Sequence, residues 1–173
     1  MTAPFAIVTN CAERAEEIAI VTRDAFVREY GSGDGEVALI ARLRTDGDVA
    51  VELAAEANGE IVGHAMFSKL SVDPATLKVA ALAPVSALID RQKSGIGSAL
   101  IREGLARCNA LGFDAVAVLG DPNYYARFGF TREAAKVFDT AYAGPHFQAL
   151  ELREGALRSG RWKLTYPAAF DGV

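Results

Sequence analysis

Apolar residues in the first part of the chain recur at helical intervals, and the spacing changes as the chain proceeds. Phe5–Thr9 is a short apolar run that reads as a first strand, with Thr9 or Asn10 available to cap the next segment. From Ala12 to Tyr30, Ala15, Ile18, Val21 or Thr22, Ala25, Phe26 and Glu29 fall three and four apart, and Glu13, Glu16 and Glu17 lie near the positive end of the helix dipole. The spacing predicts a helix. GSGDG at 31–35 interrupts it, and a second helix is predicted from Glu36 to about Thr45, before the turn Asp46-Gly47-Asp48. The apolar runs 49–57 and 60–72 flank Asn58-Gly59, a dipeptide suited to the left-handed dihedrals of a tight hairpin.

A third strand is expected from Lys78 to about Val85, with Pro84 marking an irregular or incompletely paired position because it has no N–H to donate. Gly95-Ile96-Gly97-Ser98 opens a helix whose stripe is Ile96, Leu100, Ile101, Leu105, Cys108 and Leu111, closed by Gly112. The run 113–120 reads as a strand. Asp121-Pro122 then starts a short helix through Phe128, ended by Gly129, and two late strands are expected at 145–153 and 161–166. Strand, helix, strand over 78–120 demands a crossover and parallel pairing, whereas the hairpin demands antiparallel pairing. The predicted fold is therefore α/β with a mixed sheet. No linker or repeat divides the 173 residues, so a single domain spanning 1–173 is expected.

Composition narrows the function. Apolar residues at 51% and charged ones at 23% exclude a disordered chain, a coiled coil or a collagen-like repeat. A net charge of −4 disfavours broad nucleic-acid binding. Cys11 and Cys108 form no metal-ligand cluster, so no metal is expected. The longest membrane-like run, 79–89, contains a proline and stops far short of a span, and the N-terminus lacks the basic start of a signal peptide. A soluble, cytoplasmic protein with no membrane partner is expected.

The chemically informative segment is Gln92-Lys93-Ser94-Gly95-Ile96-Gly97-Ser98. Glycines in a turn that becomes a helix let the backbone approach a ligand, and the unpaired N–H groups of the first turn converge with the positive end of the helix dipole, which suits an anion. Leu100 stands where a dinucleotide fingerprint needs its third glycine, and no GxxxxGK[ST] loop is present, so both of those phosphate motifs drop out. Before the turn, Leu82-Ala83-Pro84-Val85-Ser86-Ala87-Leu88 combines small residues with a proline, a way to leave one strand edge free for an extended, amide-bearing ligand.

These residues resemble a known family. LAPVSALIDRQKSGIGSALI is similar to the acetyl-coenzyme-A motif of the GCN5-related N-acetyltransferases (GNAT), with Gln92, Gly95 and Gly97 at its pattern positions. Gly120–Phe130 resembles the family's late segment, in which a tyrosine four residues before Gly-Phe sits beside the coenzyme sulfur. GHAMFS at 63–68 and the ending LTYPAAF resemble a bacterial branch of uncharacterised acetyltransferases. The resemblance implies a mixed sheet of six or seven strands with helices on both faces and a splayed parallel pair. It implies acetyl-coenzyme A as cosubstrate, with pyrophosphate held around Lys93, Ser94, Gly95, Ile96, Gly97 and Ser98, the pantetheine arm along Val85, Ser86 and Ala87, and Tyr125 protonating the leaving thiolate. Many members carry an asparagine seven residues before that tyrosine. Here the position is Val118, and Asn123 is the candidate for part of its work.

The resemblance implies an N-acetyltransferase acting on a primary amine of a small molecule or peptide. A non-catalytic coenzyme-binding module and a transferase for a longer acyl group are the alternatives, and retention of Tyr125 favours the enzyme. A homodimer stays open as a partner. The base that neutralises the amine is His64, Glu36, Asp121 or His146, or else solvent and backbone carbonyls. Asp121 also reads as a helix cap and His64 as a structural histidine. Cys108, Phe128 and Phe130 read as core, while Trp162, Tyr166 and Tyr124 suit either packing or a pocket wall.

Overall fold

The computed structural model describes residues 4–173. Its main sheet runs β1 (Ala6–Val8), β2 (Val49–Ala57), β3 (Glu60–Lys69), β5 (Val79–Ala87), β6 (Ala115–Leu119) and β8 (Phe147–Glu151), in that spatial order. Every neighbouring pair is antiparallel except β5 and β6, which α3 (Ile96–Ala110) joins by a crossover. The predicted hairpin forms, with Ala57 opposite Glu60 and left-handed dihedrals at Asn58 and Gly59. Strands β4 (Ser71–Asp73), β7 (Phe138–Asp139) and β9 (Trp162–Thr165) form a separate small sheet in the order β4-β9-β7.

Side-chain alternation assigns the two faces of the main sheet to different partners. Leu53, Phe67, Leu82 and Val116 pack against Leu100, Ile101 and Cys108 of α3. On the opposite face, Ala54, Ile61 and Met66 meet α1 (Ala15–Tyr30) through Ile18 and Val21, and α2 (Asp34–Asp46) through Leu39, Ile40 and Leu43. The rest of that face, Val79, Ala81, Ala117 and Ala149, is covered by the small sheet through Trp162, Leu164 and Phe138. Tyr166 packs against both coverings, so the junction between them lies over β5.

Several expectations change. The first helix begins with a 3-10 turn over Cys11–Arg14, and Asn10 at its N-cap position makes no side-chain bond to it. The second helix starts earlier, at Asp34. The strand expected over 60–72 breaks at Leu70, whose N–H turns to Val79 while Lys69 N–H bonds Asp48, so Ser71–Asp73 pairs with β9 instead. Strand β5 runs two residues further than expected, to Ala87, because β3 continues to pair with it there. Leu111 is exposed, since it is the C-cap residue where α3 turns away from the sheet. Among the short elements that were not expected are β7 and a helix at Arg132–Ala135 capped by Thr131, whose side chain accepts from Ala134 N. Both are too short to carry a hydrophobic period.

Candidate functional site

The ladder between β5 and β6 pairs Val79 with Ala115 through Leu82 with Val118 and then ends, although β5 continues to Ala87. Ala83–Ala87 therefore have strand partners on one side only, toward β3. The break coincides with a bulge in which Ala83 and Pro84 together face Met66, between the pairs Phe67–Leu82 and Ala65–Val85. Proline supplies no donor there, and the bulge turns β5 away from its parallel neighbour. The result is a seam whose free edge carries Val85, Ser86 and Ala87.

At the end of that edge the chain passes through a 3-10 turn, Ile89–Arg91, into α3. Lys93 adopts φ 63° and Gly95 φ 90°, left-handed dihedrals that bend six consecutive amides into one turn; at Gly95 this conformation favours glycine. Among the described residues, none of the backbone N–H groups from Lys93 to Ser98 has a hydrogen-bond acceptor, and the first inward bond of the helix is Ala99 N–H to Gly95 O at 3.0 Å. Unpaired donors at the N-terminus of a long helix are suited to an anion. Three side chains brace the turn: Gln92 Nε2 donates to Ala87 O at 3.3 Å, Ser94 Oγ to Arg91 O, and Asp24 of α1 accepts Ile89 N–H at 2.7 Å.

Beyond β6, Asp121 caps α4 (Pro122–Tyr125), its carboxylate accepting Asn123 N–H at 2.9 Å, an interaction worth about 1 kcal/mol. The cap fixes the helix that carries Tyr125. That ring lies against Gly120, Tyr124, Phe128 and Phe130, with centroid distances of 5.0 Å to Tyr124 and 5.8 Å to Phe130. Burial pushes its phenol up to about 12, so it holds its proton at neutral pH. Tyr124 reaches the other way: its hydroxyl is 3.4 Å from where a side chain on Gly97 would begin. The tyrosine pair thus spans from the seam to the start of α3. Asn123 is exposed on the same short helix.

The predicted base candidates separate in space. His64 is fully buried on β3, with Nε2 2.9 Å from Glu52 Oε1, and Glu52 also accepts from Arg44. Burial holds the imidazole below its ordinary value. Burial also acts on Glu52, in the raising direction, but hydrogen bonds from His64 and Arg44 outweigh it and keep that carboxyl below its ordinary value. Glu36 lies in the first turn of α2, and Asp121 is engaged as a cap. His146 is exposed just before β8, and its carbonyl accepts Gly120 N–H at 3.0 Å.

The remaining conspicuous residues pack. Burial raises both cysteine thiols to about 12, which leaves them unreactive. Trp162 donates to Thr76 Oγ1 at 2.8 Å, and Tyr166 sits between Tyr142 and Phe170. Asp24 and Gln148 were not anticipated from the sequence. Gln148, opposite Val118, donates to Gly120 O and His146 O at 3.1 and 3.2 Å and so ties the end of β6 to the start of β8. A polar residue inside the apolar run 147–150 was the available signal. A groove of about 450 Å³ between α1 and α2 contains none of the predicted site residues. Among the described residues no cluster of three or more metal-ligating side chains occurs, and no helix is long and apolar enough to cross a membrane.

The chain is similar to known proteins in sequence and in fold. Residues 15–130 match the model of the Acetyltransferase (GNAT) family. The uncharacterized N-acetyltransferase YhbS of Escherichia coli K12 is 31% identical over 151 residues, covering 86% of this chain and 90% of that protein. The crystal structure of Escherichia coli YhbS in complex with CoA superposes with a TM-score of 0.86 at 28% identity, covering 98% of this chain and 93% of that one. A GNAT family acetyltransferase from Brucella melitensis, in complex with acetyl-CoA, gives 0.82 at 33% identity, covering 98% of this chain and all of that one.

Proposed function

Because the chain belongs to the acetyltransferase (GNAT) family, we propose that it moves the acetyl group of acetyl-coenzyme A directly to a primary amine of a small molecule or peptide, within a ternary complex. We read residues 1–173 as one N-acetyltransferase domain, acting in the cytoplasm. The observation that carries the reading is the coincidence of two free backbone edges: Ala83–Ala87 beside the open seam, and the N–H groups of Lys93–Ser98 at its end. A long ligand with amides in one half and a pyrophosphate in the other matches that order.

In this reading the amides of Lys93, Ser94, Gly95, Ile96, Gly97 and Ser98 hold the pyrophosphate, and the backbone of Val85, Ser86 and Ala87 grips the pantetheine arm. Gln92 acts indirectly, by tying the turn to the end of β5, and Asn123 borders the arm from α4. The thioester then lies where β5 and β6 part, near Tyr125. Amine attack on the acetyl carbon expels a thiolate, and holding both reactants in line supplies much of the acceleration. Tyr125 gives its phenolic proton to the sulfur. A phenol near 12 is a weak acid in water, but the burial that raises it also raises a thiol formed beside it, as Cys11 and Cys108 illustrate. The difference between donor and acceptor governs the transfer, and that difference is small in a shared apolar setting.

Calorimetry with acetyl-coenzyme A and with S-acetylpantetheine, which lacks the phosphates, tests the placement. Micromolar binding of the first and at least tenfold weaker binding of the second are expected, because only the first offers charge to the free amides. Equal affinities would overturn it. Coenzyme release against a panel of amines, amino acids, aminoglycosides and peptides, with product masses, identifies the acceptor.

A further inference from the structure

Four buried side-chain atoms among the described residues have no hydrogen-bond partner, and two of them belong to residues that face each other across a strand pair. His64 Nδ1 and Ser86 Oγ are both unpartnered, His64 is opposite Ser86 in the β3–β5 register, and the residues are 0% and 4% exposed. Opposed residues have Cβ atoms roughly 5 Å apart on the same face, a gap that a serine rotation or one water closes. Buried polar atoms without partners are uncommon and call for a cause.

The arrangement is directional. Glu52, held as a carboxylate by Arg44, sits 2.9 Å from His64 Nε2, so the neutral ring carries its proton on Nε2 and leaves Nδ1 as a bare acceptor. Ser86 belongs to the stretch of β5 that has no partner on the seam side. The groups facing His64 are few. Glu52 comes from β2 and Arg44 from α2, while Cys11 of the first 3-10 turn is near enough to feel both charges. Helix α1 meets this face with Ile18, Val21 and Thr22, and the Thr22 hydroxyl is engaged with Ile18 O.

We infer that Ser86, His64 and Glu52 form a proton relay leading from the open edge of β5 into the sheet, and that it takes the ammonium proton of the acceptor. The inference rests on the proposed transferase reading. The ammonium gives one proton to the Ser86 oxygen as Ser86 passes its own to His64 Nδ1, which restores the nitrogen lone pair. That pair attacks the thioester carbon; the C–N bond forms, the C–S bond breaks, and the sulfur takes the Tyr125 proton. The surplus proton on the new amide nitrogen returns to Tyr125 through water, and His64 releases its proton to solvent. Glu52 stabilises the transient imidazolium. His64 and Glu52 act through Ser86 and are positioning residues.

Two simple acceptors separate this role from a structural one. Ethylamine is protonated at pH 7.5 and needs the relay; hydroxylamine is already neutral and does not. In single-turnover coenzyme release, His64→Gln is expected to lose about 10- to 100-fold with ethylamine and less than about threefold with hydroxylamine, with acetyl-coenzyme A affinity unchanged. The wild-type rate with ethylamine should level off above the pH where nitrogen NMR sees His64 titrate, below the ordinary value of about 6.5, whereas in His64→Gln it should go on rising with the neutral-amine fraction, about tenfold per pH unit. Ser86→Ala removes only a hydroxyl, keeps the backbone, and should reproduce the ethylamine-selective loss even where His64→Gln folds poorly.

Equal losses with both amines, or a levelling-off at the same pH in folded His64→Gln, would overturn the relay. Failure of the wild-type protein to bind acetyl-coenzyme A, or to acetylate either amine above background, overturns the proposed function and the relay with it. Wild-type turnover with no amine selectivity in the variants overturns the relay alone.

Discussion

Gly120 and Tyr125 interlock: a Cβ on Gly120 would lie 2.6 Å from Tyr125 Cε2, so the tyrosine ring occupies the space that any side chain at 120 needs. The backbone of Gly120 is itself held at both ends, its N–H by His146 O and its carbonyl by Gln148. The ring therefore rests on a fixed surface, and its hydroxyl direction is set before any ligand arrives.

Gly120→Ala should push the ring out of line. We expect the single-turnover rate to fall about 10- to 100-fold while acetyl-coenzyme A affinity changes by less than about threefold, since misplacement of a reacting group costs rate more than binding. A rate equal to wild type in the folded variant would show that the ring position is immaterial.

Tyr125→Phe keeps the ring and removes the proton. The chemical step should slow by roughly 10- to 1,000-fold with little change in coenzyme affinity. The comparison belongs in single-turnover experiments, because product release can mask the chemical step in steady state. Loss of affinity instead would assign the hydroxyl to ligand positioning.

Gly97→Val places a branched side chain between the free amides of α3 and the Tyr124 hydroxyl, which is already 3.4 Å from a Cβ at 97. Coenzyme affinity should drop at least tenfold, read by calorimetry. A folded variant that binds like wild type would remove this turn from the binding site.

His64 gives stability a pH dependence. Burial lowers its folded-state pKa below the ordinary 6.5, so between those two values the unfolded chain binds more protons than the folded one. Its contribution is complete above about pH 6.5 and is lost as pH falls through the folded value. Glu52, also depressed, adds a loss at lower pH, below its ordinary 4.5. Urea titrations from pH 7.5 to 5 should show a declining unfolding free energy that flattens in His64→Gln. An identical decline in wild type and His64→Gln would mean that other groups carry it.

Much of the fold was written locally. The Asn58-Gly59 turn, the stripe from Ile96 to Cys108 and the Asp121-Pro122 helix start each depend on neighbours a few residues away, so spacing and turn chemistry are enough to specify them. The glycines and Pro84 announced a tight turn before α3 and an incompletely paired strand for the same reason, since missing side chains and missing donors are properties of single residues.

Other features required contacts between distant segments. That Ser71–Asp73 leaves β3 for β9 depends on pairing across about ninety residues, which no local period records. That Ser86 lies opposite His64, and that Glu52 lies diagonally across from it, two residues from its partner Ala54, is set by strand registers shifted by bulges. The support of Tyr125 by Gly120, and of Gly120 by Gln148, likewise joins β6, α4 and β8. The sequence by itself determined the long helices, the hairpin strands and the glycine turn before α3, because those depend on short-range dihedral and hydrophobic preferences. Only the tertiary structure decided which polar atoms are left without partners, because that depends on how the whole chain closes around them.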